Sequence, residues 1–232
     1  MYSIILPSYN EKKNLILLIK KIKIILKNIN YEIIIVDDNS PDKTSVYFKK
    51  NHSKDKKIKF FLRSQDRGLA KSIYFGIKKA KGKFVIVMDS DFNHNPKYLK
   101  TFINIQNKLE LDFISGSRFA NGGSSNKIHR HILSKIFNIY IQILLNIRIK
   151  DSLSGFFLIR TSIVKKKIFK KIFDGYGEYF IKLCFLIEKK KYSFKEIGVR
   201  YGNRKYGVSK SKFLKMFFIY SLTALKLLFN IN

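Results

Sequence analysis

Acidic side chains are in short supply. The chain sets 16 Asp and Glu against 47 Lys and Arg over 232 residues, a formal net charge of +31. The lysines are spread along the chain rather than gathered in a tail, so they read mainly as solvated surface, with attraction to anionic lipid as a by-product. No zinc knuckle, helix-turn-helix or aromatic-glycine RNA-binding signature accompanies the charge, and no nucleic-acid partner is expected. A basic membrane- or nucleic-acid-binding protein stays open only as an alternative of another class. The single cysteine, Cys184, excludes an internal disulfide. Its apolar helical neighbourhood predicts a core residue. Three prolines leave most of the chain free for regular elements. Neither GxxxxGK[ST] nor GxGxxG occurs, so a phosphate site here must neutralise charge with a metal and basic side chains. Nothing resembling a secretory leader precedes SIILP, which predicts a protein on the cytoplasmic side.

What is present is a rhythm. Apolar strands and amphipathic helices alternate: a strand at Tyr2–Pro7, a helix at Glu11–Asn28 with Leu15, Ile19, Ile22 and Leu26 on one stripe, then a strand at Tyr31–Asp38. A helix at Pro41–Asn51, a strand at Lys57–Arg63 and a helix at Leu69–Lys81 follow. Then come a strand at Phe84–Asp91, a helix at Pro96–Leu109 and a strand at Asp112–Arg118. This order predicts an α/β fold, a mostly parallel, doubly wound sheet with helices on both faces. The second half reads as a long helix at Ile128–Ile149, the loop Asp151–Phe156, an apolar strand or helix, a helix at Tyr179–Lys190, and a strand with a basic loop up to Lys210. The chain is expected to form one domain over 1–210, with an apolar helix over 211–232. That helix is too short and too lysine-flanked to favour a bilayer crossing, and an interfacial placement is preferred.

In such sheets ligands gather at the carboxyl ends of the strands. The acidic and small polar residues fall there. Asp89 and Asp91 close a buried apolar strand, where two carboxylates are costly to bring together without a cation between them. Hard oxygen ligands suit Mg²⁺ or Mn²⁺, and such an ion commonly carries phosphates. Tyr9 can flank a base, Asp38 can accept a base N–H, and Glu11 can accept from a ribose or base. Together these describe a nucleoside-diphosphate site.

The segments LPSYNE (Leu6–Glu11), VDDNSPDKT (Val36–Thr44), RSQDRGLAKS (Arg63–Ser72) and MDSDFNHNP (Met88–Pro96) resemble, in order, those of the inverting glycosyltransferase family 2. GSRFANGG (Gly116–Gly123), R-x-x-x-S (Arg130–Ser134), DSLSGF (Asp151–Phe156) and R-x-x-G-x-S-K (Arg204–Lys210) are similar to the dolichol-phosphate mannosyltransferase branch. The resemblance implies the A-type nucleotide-sugar fold. It implies a hexose, mannose from GDP-mannose first and a UDP-glucose-type donor second, moved onto dolichyl or polyprenyl phosphate, with a saccharide or glycolipid acceptor as the rival. On that reading Pro7, Tyr9, Glu11, Asp38, Arg63 and Asp89 contact the nucleotide sugar. Asp89, Asp91 and Asn93 hold the divalent ion. Asp91, Arg118, Arg130, Arg204 and Lys210 serve the reacting phosphates. Phe157 stands where the branch often has a basic residue, and Lys182 where many relatives are acidic. Both departures bear on the sugar and neither touches the acidic pair. The paired transmembrane helices of some relatives are missing. The resemblance therefore implies a peripheral enzyme on the cytoplasmic membrane face, either leaning on a small membrane partner subunit or using 128–149 and the terminal helix as its foothold.

Overall fold

The computed structural model describes residues 1–126, 128–206 and 213–229. The first half alternates as the periodicity predicts: β1 (Tyr2–Ser8), α1 (Lys12–Ile25), β2 (Tyr31–Asp37), α2 (Thr44–His52), β3 (Ile58–Leu62), α3 (Leu69–Lys79), β4 (Phe84–Val87), α4 (Tyr98–Leu109) and β5 (Phe113–Ser117). The second half adds β6 (Ser124–Ser125), α5 (Ile128–Leu145), β7 (Phe157–Arg160), the single turns α6 (Thr161–Val164) and α7 (Lys167–Lys170), α8 (Glu178–Lys189), β8 (Phe194–Gly198), β9 (Arg200–Tyr201) and α9 (Phe213–Phe229). Helix α5 stops at Leu145, short of the expected Ile149, where Asn146 takes a left-handed φ of 49° and closes it.

Seven strands form one sheet in the order β3-β2-β1-β4-β7-β5-β8. All neighbours run parallel except β7, which is antiparallel to both β4 and β5. The sequence left 157–160 undecided between strand and helix. It becomes a strand because the preceding loop delivers the chain beside the carboxyl end of β5, where Gly116 N–H donates to the Phe156 carbonyl at 2.8 Å. From there the only direction is back down the sheet.

Strand alternation sorts the core into two layers. Ile5, Ile34, Val36, Val85 and Val87 face α3, α5 and α8. Ile4, Leu6, Ile33, Ile35 and Ile86 face α1, α2 and α4. The predicted α1 stripe of Leu15, Ile19, Ile22 and Leu26 is buried in full. Helix α3 lies so close to β1 that a Cβ on Gly76 would come within 2.6 Å of Ile5 Cγ2. The terminal helix α9 sends Tyr220 and Ala224 into the first layer. Among the described residues no helix is long and apolar enough to cross a membrane.

The chain leaves β1 for β2 on one side, while β4 lies on the other. This is the reversal of strand order at which α/β sheets open a crevice. Along β1, strand β4 reaches only Tyr2–Ile5, whereas β2 follows β1 on to Ser8. A gap opens above Ile5. Pro7 sits at its edge, where its missing N–H leaves no ladder bond unmade, and its carbonyl accepts from Ser90 Oγ at 2.7 Å.

Candidate functional site

Three segments converge on this gap. The turn after β1 brings Glu11, the turn after β4 brings Asp89 and Asp91, and the loop after β9 lays Arg204 over both. Arg204 Nη2 lies 2.6 Å from Asp91 Oδ2, and Nη1 pairs with Glu11 Oε1. Glu11 Oε2 also accepts from Asn14 Nδ2 at 2.5 Å. The loop is held down at two further points. Gly202 N–H donates to the Asn93 carbonyl at 2.9 Å, and Asn14 Nδ2 donates to the Tyr206 carbonyl at 3.2 Å. A cation thus stands inside a cluster of three carboxylates.

Asp91 is almost wholly buried. Its oxygens accept from the Asn93 backbone N–H and from Asn93 Nδ2, both at 2.9 Å. Burial and the neighbouring Asp89 raise its pKa, against the pull of Asn93 N–H and Arg204. Asp89 is pushed up to about 6, by burial first and the Glu11 charge second, with Arg204 opposing. Two-fifths of its side chain still opens onto the cleft, so solvent there tempers the shift. Among the described residues no N–H or O–H donates to its carboxylate within hydrogen-bond distance, and His94 Nε2 lies 3.7 Å from its Oδ2.

This donor set fits a hard divalent ion. It offers two adjacent carboxylates, one of them facing the cleft and taking no hydrogen bond from the described residues, both with pKa values raised first by burial. Asn93 spends its NH₂ on Asp91, which leaves its Oδ1 as the atom available to an ion. Among the described residues no group of three or more His, Cys, Asp or Glu could hold a metal unaided. The rest of the shell falls to phosphate oxygens and water, as is usual for Mg²⁺.

The base-side candidates assemble beside this centre. Asp38 is buried at the end of β2. Its Oδ2 accepts from Gly68 N–H at 2.7 Å, and its Oδ1 lies 3.5 Å from Arg63 Nη1. Gly68 holds φ at 141°, a backbone geometry for which glycine is suited. Arg63 is itself buried, donating to Ser72 Oγ at 2.9 Å and to the Asp66 carbonyl. Asp38 and Arg63 therefore stiffen each other. Tyr9 is exposed, with the Arg67 guanidinium 5.0 Å from its ring centre.

Arg118 does not stand free. Its Nε and Nη2 reach Asp151 at 2.9 and 2.8 Å, and its backbone N–H adds a third bond at 2.9 Å. Asp151 is fully buried. The Asp151 charge raises the Arg118 pKa further, against the cost of burial. Arg130 is exposed in the first turn of α5 and joins no ion pair among the described residues. Lys210 lies outside the described residues.

Sequence reading passed over a buried relay that joins the two halves of the site. His94 Nδ1 accepts the Asp89 backbone N–H at 2.9 Å, which leaves the ring proton on Nε2. That nitrogen donates to the Tyr201 hydroxyl at 2.9 Å, and the hydroxyl donates to the Ser154 carbonyl at 2.8 Å. The His94 ring stacks on Phe156 with centroids 4.7 Å apart. Burial lowers its pKa to about 4, so it is neutral. Arg118 covers the Tyr201 ring at 5.0 Å. All of these but Tyr201 fall inside segments that carry the family resemblance, His94 in MDSDFNHNP, Ser154 and Phe156 in DSLSGF, and Arg118 in GSRFANGG. Tyr201 had no such signal. Tyr176, also unforeseen, stands close enough to Asp89, Asp91 and Glu11 that their charges raise its pKa, after burial.

The sequence matches glycosyl transferase family 2 over residues 3–167. It is 35% identical over 214 residues to a dolichol-phosphate mannosyltransferase of Pyrococcus furiosus, covering 90% of this chain and 59% of that protein. It is 30% identical over 164 residues to a dolichol-phosphate mannosyltransferase of Mycosarcoma maydis, covering 67% of this chain and 55% of that protein. The chain thus spans somewhat over half the length of these relatives. Glucosyl-3-phosphoglycerate synthase from Mycobacterium tuberculosis, in complex with Mn²⁺, UDP and glucosyl-3-phosphoglycerate, shares the fold with a TM-score of 0.70 at 14% identity, covering 97% of this chain and 79% of that one. The same enzyme with Mg²⁺ and UDP gives a TM-score of 0.70 at 13% identity, covering 97% and 78%. By the extent of the sequence match, this chain belongs to glycosyl transferase family 2.

Proposed function

We propose that the protein is an inverting hexosyltransferase that moves a sugar, mannose from GDP-mannose as the first choice, onto a polyprenyl or dolichyl phosphate at the cytoplasmic face of a membrane. The observation that carries this reading is the Arg204 cation bound between Glu11 and Asp91 beside Asp89, whose carboxylate faces the cleft and takes no hydrogen bond from the described residues. Carboxylates drawn together at a strand-order reversal require positive charge, and a nucleoside diphosphate is the ligand that brings a divalent ion with it. The names of the relatives supply the acceptor class and the mannosyl choice. The UDP complexes of the fold neighbours support a uridine donor as the second reading. The catalytic unit comprises residues 1–210, and residues 211–232 adjoin the lipid.

In this mechanism a phosphate oxygen of the acceptor forms the new bond to the anomeric carbon. The bond from that carbon to the leaving diphosphate oxygen breaks on the opposite face, so configuration inverts. The acceptor phosphate is already ionised near neutrality, and no strong general base is required. Asp89 and Asp91, with Asn93 Oδ1, would hold the divalent ion, which when bound offsets charge on the departing diphosphate. Pro7, Tyr9, Glu11, Asp38 and Arg63 would frame the nucleoside. Arg118, Arg130, Arg204 and Lys210 would receive the two phosphorylated substrates and counter their repulsion.

The deciding experiment incubates purified protein with polyprenyl phosphate, Mn²⁺ and radiolabelled GDP-mannose, UDP-glucose or dTDP-glucose in turn, and follows label into the lipid phase. Transfer from GDP-mannose, lost on Asp91→Asn, is expected. Transfer from a uridine donor alone would replace the donor assignment, and no lipid product from any donor would remove the acceptor assignment.

A further inference from the structure

The two carboxylates of the acidic pair are aimed by different means. Asp91 is held through its side chain, by the Asn93 N–H, by Asn93 Nδ2 and by Arg204. The Asp89 carboxylate takes no hydrogen bond from the described residues, so where it points follows its backbone. That backbone is tied at its N–H to His94 Nδ1 at 2.9 Å, and His94 is tied in turn to Tyr201. Ligands to an ion keep their geometry through outer support of this kind.

Tyr201 reaches this joint from far along the chain. Strand β9 runs parallel to β6, with Tyr201 opposite Ser125, and passes between two turns. On one side, Gly202 lies so near the turn after β4 that a Cβ on it would come within 2.8 Å of the Phe92 carbonyl oxygen. On the other, the Tyr201 hydroxyl donates to the Ser154 carbonyl at 2.8 Å. Ser154 Oγ donates onward to the Gly116 carbonyl, two residues before Arg118. One hydroxyl thus spans the turn that carries Asp89 and the turn that carries Asp151 and backs Arg118.

Packing alone does not ask for that hydroxyl. The His94 ring lies flat on Phe156, which meets Phe102 edge-on, both with centroids 4.7 Å apart. Apolar rings would fill such a place with little loss of stability. What the polar contacts add is one fixed geometry. We infer that Tyr201 is a positioning residue: its hydroxyl locks the Asp89 backbone to the Ser154 turn and so fixes the spacing between the ion-bearing carboxylates and the Arg118 cation. It acts through His94 and Asp89, not on a reacting atom. This deepens the transferase reading and rests on it for the reaction served.

Tyr201→Phe removes the hydroxyl and leaves the ring. His94→Asn tests the same link from its other end, since Asn Oδ1 can still accept the Asp89 N–H but the side chain is too short to reach Tyr201. Ser3→Ala is the control. Ser3 Oγ is also buried, donating to Glu32 at 2.6 Å and accepting from Gly82 N–H at 2.8 Å, at the opposite end of β1 from the site. All three are measured at a temperature where circular dichroism shows them folded. Label transfer to polyprenyl phosphate should fall about tenfold in kcat for Tyr201→Phe and for His94→Asn, with KM for donor and acceptor changed less than about twofold. Ser3→Ala should keep the wild-type kcat. Because both site variants cut one link, the double variant should be no worse than either alone. Mn²⁺ binding with GDP or UDP present and acceptor absent, read by electron paramagnetic resonance, should weaken about tenfold in the same two variants and not in Ser3→Ala. Wild-type kcat or wild-type Mn²⁺ affinity in Tyr201→Phe, losses that multiply in the double variant, an equal loss in Ser3→Ala, or failure of both site variants to fold would each overturn the role. If wild type moves no sugar to the lipid, the acceptor assignment falls, and the Mn²⁺ measurement still decides on Tyr201.

Discussion

Arg204 occupies the position where positive charge is most wanted, so a divalent ion approaching Asp91 must displace it. Replacing it by Gln removes the 2.6 Å contact with Asp91 and the pairing with Glu11. A hydrogen bond between charged groups contributes about 1.5–3 kcal/mol. One-fifth of the Arg204 side chain is open to solvent, which favours the lower end. At about 1.4 kcal/mol per decade, Arg204→Gln should bind Mn²⁺ roughly tenfold more tightly than wild type when nucleotide is absent. The assay is a titration of free Mn²⁺ by electron paramagnetic resonance, with and without GDP or UDP. In wild type, a diphosphate should draw Arg204 away from the carboxylates, so nucleotide and ion tighten each other. In the variant that mutual gain should shrink, because the competitor has gone and the phosphate contact with it. If Arg204→Gln binds Mn²⁺ no better than wild type, or retains the full coupling, the competition argument is wrong.

The other predictions concern the frame around the centre. Tyr201→Phe keeps the ring under Arg118 but strips the hydroxyl from His94 Nε2–H, orphaning a buried donor at about 1–3 kcal/mol; urea unfolding should show the loss. Asp151→Asn leaves the Arg118 guanidinium without its counter-charge and should cost about 3–5 kcal/mol, seen as a lower thermal midpoint and weaker use of the acceptor. His94 titrates at about 4 when folded against an ordinary 6.5, so between those values the unfolded chain holds the extra proton and folding stability rises with pH. Subtracting the profile of His94→Gln removes the opposing contribution of Asp89, and the difference should grow by about 3 kcal/mol from pH 4 to 6.5; a flat difference would count against a neutral His94.

Much of this architecture is legible in the chain because its information is local. Period-two strands, period-3.6 helices and a strand that stops at Asp89 each declare themselves within a few residues. The acidic pair is legible for the same reason. What the sequence hides is pairing at a distance. Arg118 reads as a free phosphate ligand until Asp151 closes on it from the far side of α5. Arg204 reads as a phosphate ligand in a basic loop, and nothing local says that it will reach Glu11 at the opposite end of the chain. Tyr201 matters through one hydroxyl, and nothing in a local window says that it will meet His94. The direction of β7 is hidden likewise, because an apolar tetrapeptide has no sense until a loop delivers it to an edge.

That reversed strand also dictates an order of assembly. Strands β1 to β4 hold one another as soon as Val87 has been made, whereas β5 gains both of its neighbours, β7 and β8, only from later sequence. A nascent chain leaving the ribosome therefore carries a finished half-sheet whose β4 border stays unzipped until Phe157–Arg160 arrives to stitch the halves together. An open border of this kind invites foreign strands. A product terminated before Phe157 would be left with a sticky flank, while one extended just past Arg160 would have it sealed.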